Sequence, residues 1–304
     1  MGSVMARLTA CVAVALLLSS ACSKHAEEPA FEKRAHVNGV DLHYIERGSG
    51  APVVLIHGSL ADYSYWETSE QLSRLADRHR VIAYSRRYNH PNRNPRQADH
   101  SPMVEAADLA AFLGQVSPEP IHVVGHSYGA YTALVYALAH PERVRSLVLA
   151  EPPIISWLPD VPDGEGTFEG FMAGVWEPLG QAFAEGGDAA GLDFTARWYF
   201  GVPWESVSPV WQKLFSDNVG EWHALAVSAH TFPALDFDRI RALEVPTLLL
   251  SGGANQGFNV LVDAQLERLL PDVERVTLPD ASHEMFLDDP SGSAGALLDF
   301  FSRH

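Results

Sequence analysis

Cysteine is almost absent from this sequence. Its 304 residues include two cysteines, Cys11 and Cys22, and both lie near the N-terminus. The rest of the chain therefore cannot form a disulfide, bind a metal through thiolates or use a cysteine nucleophile. Any covalent catalysis by the folded part of the chain has to come from another side chain.

Positive charge is also scarce. Lysine and arginine total 21 against 38 aspartate and glutamate residues, which gives a formal net charge of −17. Binding to nucleic acid depends on a basic surface, so this composition argues against a nucleic-acid partner. Apolar residues make up 47% of the chain, enough for a substantial core in one large domain or two small ones.

The N-terminal residues have the pattern of an export signal. Residues 1–22 combine an early arginine, an apolar run over 8–18 and small residues, and the run is too short for a stable membrane anchor. The ending LSSAC resembles a bacterial lipoprotein cleavage box in which Cys22 would be lipidated. Residues 23–31 would then be a polar tether. We expect a lipoprotein facing the periplasm, attached to the membrane only through this lipid; a free periplasmic protein is the alternative.

Apolar strands alternate with helices from residue 32 onward. The strands are short apolar runs, at 52–58, 80–85, 121–125, 144–151, 246–252 and 273–278. This alternation predicts an α/β core, with a mostly parallel central sheet flanked by helices, built from residues 32–151 and 236–304. A helix is predicted over residues 65–79, and a polar surface loop with solvated arginines over 86–101.

Residues 152–235 interrupt the alternation and predict a helical cap over the ends of the strands. Residues 151–235 hold twelve acidic residues, six tryptophans and seven phenylalanines, with only Arg197 and Lys213 as basic residues. An acidic outer face over an aromatic inner face would explain this composition. Some of the aromatic side chains would line a pocket for an apolar group, and the acidic cap would disfavour anionic substrates.

The pattern G-x-S-x-G occurs at residues 125–129, which read Gly-His-Ser-Tyr-Gly. It lies directly between a buried strand and a helix, so Ser127 is expected on a strained turn that lifts its hydroxyl above the sheet. Gly125 and Gly129 let neighbouring backbone pass close by, and His126 is assigned a structural part. A serine that only capped the helix would not need both glycines. Ser127 is therefore the predicted nucleophile.

A serine nucleophile needs a general base, an acid that orients the base, and an oxyanion hole. His283 is the predicted base, because it lies in a loop after the last predicted strand, as the chain order Ser, acid, His requires. The oxyanion hole is predicted from the backbone N–H groups of Tyr128 and Ser59. His57 and Gly58, which precede Ser59, are assigned structural parts at the end of an earlier strand.

Four segments together resemble the α/β-hydrolase fold family: HGSLADYSYW, GHSYGA, LVLAEPP and ASHEMF, in this order. The resemblance covers residues 35–303 and implies a cap domain above the active site. Neither a metal nor an organic cofactor is implied. The substrate is not fixed by the resemblance, because one fold supports many reactions.

The acid departs from the pattern of most family members, which carry it after the strand corresponding to PTLLLSG, where this chain has Asn255. Some members, notably certain haloalkane dehalogenases, place a glutamate after the strand that follows the nucleophile helix, and Glu151 holds that position here. The resemblance thus implies Glu151 as the acid, and pairing with His283 would offset the cost of burying its charge. Asp263 is expected on a helix in solvent, and replacing Asn255 by alanine is expected to be nearly silent.

These residues predict a serine hydrolase that cleaves a small to medium neutral carboxylic ester through an acyl-enzyme. A serine nucleophile argues against dehalogenation and epoxide opening, because the family members that catalyse them use aspartate. The small-molecule ester is the expected partner, and the oligomeric state stays open. One alternative is a catalytically silent ligand-binding domain of the same fold, which Asn255 alone favours. Another is a lactone or carbon–carbon bond hydrolase with the same triad.

Overall fold

The computed structural model of the chain describes residues 32–304. The predicted export signal, the lipidation residue Cys22 and the tether over residues 23–31 lie outside the described residues and stay predictions. Within the described residues, no helix combines the length and the apolar character that crossing a membrane requires.

The described part of the chain forms an eight-stranded sheet in the order β1-β2-β4-β3-β5-β6-β7-β8. The first two strand pairs, β1 with β2 and β2 with β4, are antiparallel, and all the others are parallel. This confirms the predicted mostly parallel sheet. The strands are β1 (Lys33–Val37), β2 (Val40–Arg47), β3 (Ala51–Ile56), β4 (His79–Tyr84), β5 (Ile121–His126), β6 (Val144–Ala150), β7 (Thr247–Gly252) and β8 (Val273–Leu278).

Helices connect the parallel strands and cover both faces of the sheet. Around the core they are α1 (Ser64–Thr68), α2 (Gln71–Ala76), α3 (Pro102–Val116), α4 (Tyr128–Ala139), α8 (Phe237–Arg241), α9 (Phe258–Leu269), α10 (Met285–Asp288) and α11 (Pro290–Phe301). Between β6 and β7 lie α5 (Glu165–Phe171), α6 (Glu177–Phe200) and α7 (Pro209–Val227). Short 3₁₀ and π segments occupy Pro141–Arg143, Ile155–Asp160, Met172–Trp176 and Trp204–Ser206.

The core forms one layer on each face of the sheet, because successive residues of a strand point to opposite faces. On β3, Val54 and Ile56 belong to the layer that includes α3 and α4. Val53 and Leu55 belong to the other layer, which includes residues of α2 and α11. Burial on both faces explains why the central strands read as continuous apolar runs rather than as alternating ones.

Two local predictions were wrong. The helix predicted over residues 65–79 is interrupted at Glu70, whose φ of 61° is left-handed, so α1 and α2 are separate helices. In the predicted surface loop, the arginines at its start are buried rather than solvated. Arg86 is 0% exposed and Arg87 is 5% exposed, because each forms ion pairs with acidic residues of the fold.

The segment between β6 and β7, residues 152–235, is called the inserted segment below. Its long helix α6 is bent at Gly187, where φ is 64° and ψ is −157°. Hydrogen bonds attach the inserted segment to the core: Tyr128 donates its hydroxyl proton to the carbonyl of Thr231 at 3.0 Å. The description of this segment as a cap domain stays a prediction.

Helix α4 follows β5 in the sequence, but its first turn packs against the end of β3. A glycine makes this close approach possible. A Cβ atom at Gly129 would overlap the carbonyl oxygens of Ile56 and His57, which are backbone atoms of a buried strand end. By contrast, a Cβ atom at Gly114, on an exposed position of α3, would meet nothing within 4 Å. The two glycines therefore differ in packing although both lie in helices.

We expect Gly129→Ala to lower the free energy of unfolding by about 1–3 kcal/mol, because the methyl group overpacks a strand end that has no room to shift. Gly114→Ala is the matched control and should raise it by up to about 1 kcal/mol through helix propensity. Urea unfolding followed by circular dichroism measures both changes. Equal stability of the two variants would contradict the packing argument.

Candidate active site

The predicted site residues meet at the carboxyl ends of the parallel strands. Ser127 follows β5, Glu151 follows β6, Asn255 lies in the turn after β7, and His283 lies in the loop after β8. In parallel sheets, loops at this edge converge although their residues are far apart in the sequence. This convergence places the predicted nucleophile, acid and base in one region.

Ser127 lies on a strained turn. Its φ of 53° and ψ of −123° are unusual for a residue with a side chain. The N–H of Ser127 donates to the carbonyl of Ala150 at 2.8 Å, which ties the turn to the end of β6. Gly58 passes close by, since a Cβ atom there would lie 3.0 Å from the Ser127 Cβ. The turn is thus held from both neighbouring strands while the Ser127 residue stays partly exposed.

His283 and Glu151 are in direct contact. The distance between His283 Nδ1 and Glu151 Oε2 is 2.6 Å. Glu151 is buried, while the side chain of His283 keeps 26% of its surface exposed. Burial lowers the pKa of His283, but the hydrogen bond and charge of Glu151, with the nearby Glu284 and Asp263, outweigh it and raise the pKa above the usual 6.5.

The bond to Glu151 engages Nδ1 of His283, so the other ring nitrogen, Nε2, is left to exchange protons. Among residues 32–304, the Ser127 hydroxyl forms no hydrogen bond. Contacts between nucleophile and base are often long without substrate and tighten when it binds. The arrangement therefore offers an oriented imidazole at the same sheet edge as the Ser127 hydroxyl.

Three further groups donate hydrogen bonds to the Glu151 carboxylate. The N–H of Gly252 donates to Oε1 at 2.8 Å, the side-chain amide of Asn259 donates to Oε2 at 3.1 Å, and the amide of Asn255 also donates to Oε2. Glu151 has a φ of 51°, a left-handed conformation that is costly for glutamate. These donors and His283 hold the residue in that conformation.

The structure changes the interpretation of Asn255. In the sequence it stood where most family members carry the acid, and its replacement was expected to be nearly silent. Its amide instead donates to the Glu151 carboxylate and contributes to the support of that carboxylate. The polar residue after β7 therefore has a partner in the site although it carries no charge.

Two backbone N–H groups are available for an oxyanion hole. Tyr128 opens α4, so its N–H has no partner within the helix. Ser59 follows the end of β3, next to Leu60, which has a left-handed φ of 58°. In the described part of the chain neither N–H donates to a protein acceptor. The two groups predicted from sequence are thus free to bind an oxygen that develops negative charge.

His57 and His126, the two histidines that flank the candidate site, have protein partners. His57 is fully buried, with Nδ1 at 2.8 Å from the carbonyl of Gly58, and Nε2 accepts the Arg86 N–H at 3.0 Å. Burial and the charge of Arg86 lower the pKa of His57 to about 3, so it is neutral. His126 Nε2 lies 2.8 Å from the carbonyl of His283 and holds the loop of the predicted base.

Asp263 was predicted to be solvated, and this was wrong. It is 1% exposed, and Ser251 donates its hydroxyl proton to Asp263 Oδ2 at 2.6 Å. Burial raises the pKa of Asp263 to about 7, against the opposing effects of Ser251 and Arg275. It shares no hydrogen bond with His283, so it does not compete with Glu151 for the imidazole.

Three residues of this region were not identified from the sequence: Asn259, Arg86 and Glu221. Asn259 lies in the first turn of α9 and contacts both Glu151 and His283, at 3.1 and 3.3 Å. Its position, in the first turn of the helix that follows β7, could have indicated from the sequence that it lies at the site. Arg86 and Glu221 form a buried ion pair at 2.7 Å between segments distant in sequence, and no local pattern indicates it.

Within residues 32–304, no group of three or more His, Cys, Asp or Glu side chains is arranged to hold a metal ion.

Comparison with known proteins agrees with this architecture. A non-heme haloperoxidase of Rhodococcus erythropolis is 28% identical over 82% of this chain and 91% of its own length. A thermophilic esterase from Thermogutta terrifontis has a similar structure, with a TM-score of 0.71 and 21% identity over 90% of this chain and 99% of that one. The latter similarity shows the fold alone.

A shorter match is 36% identical over 116 residues, to a protein of Azorhizobium caulinodans that bears the name of a carbamate hydrolase. It covers 38% of this chain and 42% of that protein, so the chain spans less than half the length of this relative. A family model described as alpha/beta hydrolase fold matches residues 51–290, which is most of the chain. The chain therefore belongs to the α/β-hydrolase fold family.

Proposed function

We propose that this protein is a serine hydrolase that cleaves a small to medium neutral carboxylic ester through an acyl-enzyme. The observation that carries the proposal is the 2.6 Å contact between His283 Nδ1 and the buried Glu151 carboxylate, at the sheet edge where the Ser127 turn lies. A supported acid, an oriented imidazole and a serine on a strained turn are the parts that acyl transfer needs.

In the proposed mechanism, Ser127 Oγ attacks the ester carbonyl while His283 Nε2 takes the hydroxyl proton. The N–H groups of Ser59 and Tyr128 stabilise the oxyanion of the tetrahedral intermediate. His283 then gives the proton to the departing alcohol, which leaves an acyl-Ser127 ester. Water attacks this ester, passes a proton to His283 and releases the acid, and the serine regains its proton. Glu151 stays ionised and stabilises the imidazolium form of His283.

Two features of the site support a neutral substrate with an apolar acyl group. Burial raises the pKa of Glu284, but His126, His283 and two tyrosine hydroxyls lower it overall, so this carboxylate beside the base is ionised and disfavours anions. Phe258, next to Asn259, contacts Phe171 of the inserted segment with ring centroids 5.3 Å apart. We propose that the inserted segment is a cap over the site and contributes such aromatic side chains to the acyl pocket.

A silent binding domain is the less favoured interpretation. It depended on Asn255 as a sign that the catalytic acid had been lost. The hydrogen bond from Asn255 to Glu151 supports a displaced acid instead.

The proposal is tested with short- and medium-chain p-nitrophenyl esters. We expect the protein to hydrolyse them and Ser127→Ala to reduce turnover to the background rate, because the variant has no nucleophile. An organophosphonate should label the unaltered protein at Ser127, as mass spectrometry of the digest would show. Turnover that survives in Ser127→Ala, or the absence of both turnover and labelling, would contradict the proposal.

Neutralising the acid should change both the rate and its pH dependence. We expect Glu151→Gln to lower kcat by up to about 10⁴-fold with the fold intact. The base must be neutral, so kcat/KM should rise with pH through the pKa of His283, which Glu151 raises. Glu151→Gln removes that effect, and the rise should move to lower pH. A pH–rate profile unchanged in midpoint would show that Glu151 does not act on the base.

Asn255 allows a separate test of the support for Glu151. Asn255→Ala removes one of several donors to the carboxylate and should lower kcat only a few-fold, about the effect of one hydrogen bond. Asn255→Asp should lower it more, because a second carboxylate would face Glu151 and repel it. Steady-state kinetics above pH 7 compares the two variants. The opposite order of effects would mean that Asn255 does not act through Glu151.

A further inference from the structure

Another buried carboxylate, that of Glu221, lies at the predicted oxyanion loop. Glu221 belongs to α7 of the inserted segment and is 0% exposed. Its Oε1 accepts the hydroxyl proton of Ser59 at 3.0 Å, and its Oε2 accepts the backbone N–H of Leu60 at 3.3 Å. One side chain of the inserted segment therefore holds two consecutive residues of the loop that follows β3.

Arg86 also holds this loop. Its guanidinium pairs with Glu221 Oε1 at 2.7 Å and with Glu105 Oε2 at 2.7 Å. It also donates to the backbone carbonyls of His57 and Gly58, both at 3.1 Å. Within residues 32–304, the oxygen atoms that accept hydrogen bonds from the Arg86 guanidinium thus belong either to Glu105 and Glu221 or to the loop.

Stability is a weak explanation for this network. A buried ion pair loses most of its Coulomb energy to desolvation, and apolar residues of similar volume often serve as well. What such a network does provide is a fixed geometry. Leu60 has a left-handed φ of 58°, a conformation that a non-glycine residue keeps only where surrounding contacts hold it. The N–H of Leu60 is one of the groups that Glu221 binds.

We propose that Glu221 is a positioning residue that directs the Ser59 N–H into the oxyanion hole, so that the inserted segment controls the geometry of the hole. This inference rests on the proposed function. Glu221 acts through the loop and does not touch the reacting atoms. Because a displacement of about 1 Å in a catalytic group can cost a hundredfold in rate, the loop geometry matters most in the transition state.

Glu221→Gln tests the proposal. An amide has one acceptor oxygen, so it can keep either the Ser59 and Arg86 side or the Leu60 N–H, and its NH₂ group would face a donor. We expect kcat for a p-nitrophenyl ester to fall about tenfold to a hundredfold, short of the loss of a complete oxyanion donor. KM should change less than about twofold, because the hole binds the transition state and not the ground state.

Asp217→Asn is the matched control. Asp217 lies one turn earlier on α7, and its only ion pair in the described part of the chain is with Lys213 at 2.6 Å on the surface. Its neutralisation should leave kcat and KM unchanged. Loss of a negative charge from α7 as such would affect both variants, whereas a positioning role affects Glu221→Gln alone.

Ser59→Ala and hydrogen exchange keep the test decisive. Ser59→Ala removes only the hydroxyl contact to Glu221 and should lower kcat by about two- to fivefold, the effect of one hydrogen bond. If Glu221→Gln does not fold, an unchanged kcat in Ser59→Ala overturns the proposal. In folded Glu221→Gln, the amides of residues 58–61 should exchange faster than in the unaltered protein.

The outcomes separate the two proposals. A lower kcat at constant KM with faster exchange in the loop supports the positioning role, and an unchanged kcat in folded Glu221→Gln overturns it. If the unaltered protein hydrolyses no ester, the proposed function fails. The exchange rates then still test the contact itself, and unchanged exchange in the variant would overturn the role of Glu221 in holding the loop.

Discussion

The buried carboxylate of Glu151 is the group on which the geometry of the candidate site depends. It follows β6, accepts the N–H of Gly252 at the end of β7, and binds the imidazole of His283 after β8. An ionised carboxylate in such a place is unfavourable unless several donors replace its hydration. Those donors come from separate loops, so satisfying one charge also fixes the relative positions of the loops.

The same principle operates on the other side of Ser127. Glu221 accepts hydrogen bonds from the loop after β3, as Glu151 binds groups of the loops after β7 and β8. Burial raises the pKa of Glu105, the third acid in this region, but Arg86 and His100 lower it to about 2. An ionised Glu105 leaves Arg86 with two acidic partners, Glu105 and Glu221. Buried charge therefore organises both the proposed base and the proposed oxyanion loop around Ser127, the proposed nucleophile, which is partly exposed.

Sequence patterns predicted the structural features that depend on residues close together in the sequence. Continuous apolar runs predicted strands β3 to β8. The two glycines on either side of Ser127, between a strand and a helix, predicted the turn at this serine. Sequence patterns did not predict the burial of charged side chains whose partners are distant in the sequence. Arg86 was expected in solvent because its neighbours are polar, yet its partners Glu105 and Glu221 lie on other elements. Asp263 was expected in solvent on a helix, but α9 packs this face towards Ser251.

The assignment of Glu151 illustrates what a resemblance can and cannot supply. Family similarity indicated two places for the acid, after β6 or after β7, and only one of them holds a carboxylate in this chain. It gave no role to Asn255, the residue at the other place. The imidazole needs one acceptor at Nδ1, and either loop can deliver it because parallel strands end side by side. Once β6 supplies the carboxylate, the β7 turn is free to supply donors, and its backbone N–H at Gly252 and the amide of Asn255 do so. The position of the oxygen atom is thus constrained more strongly than the position of the acid in the sequence.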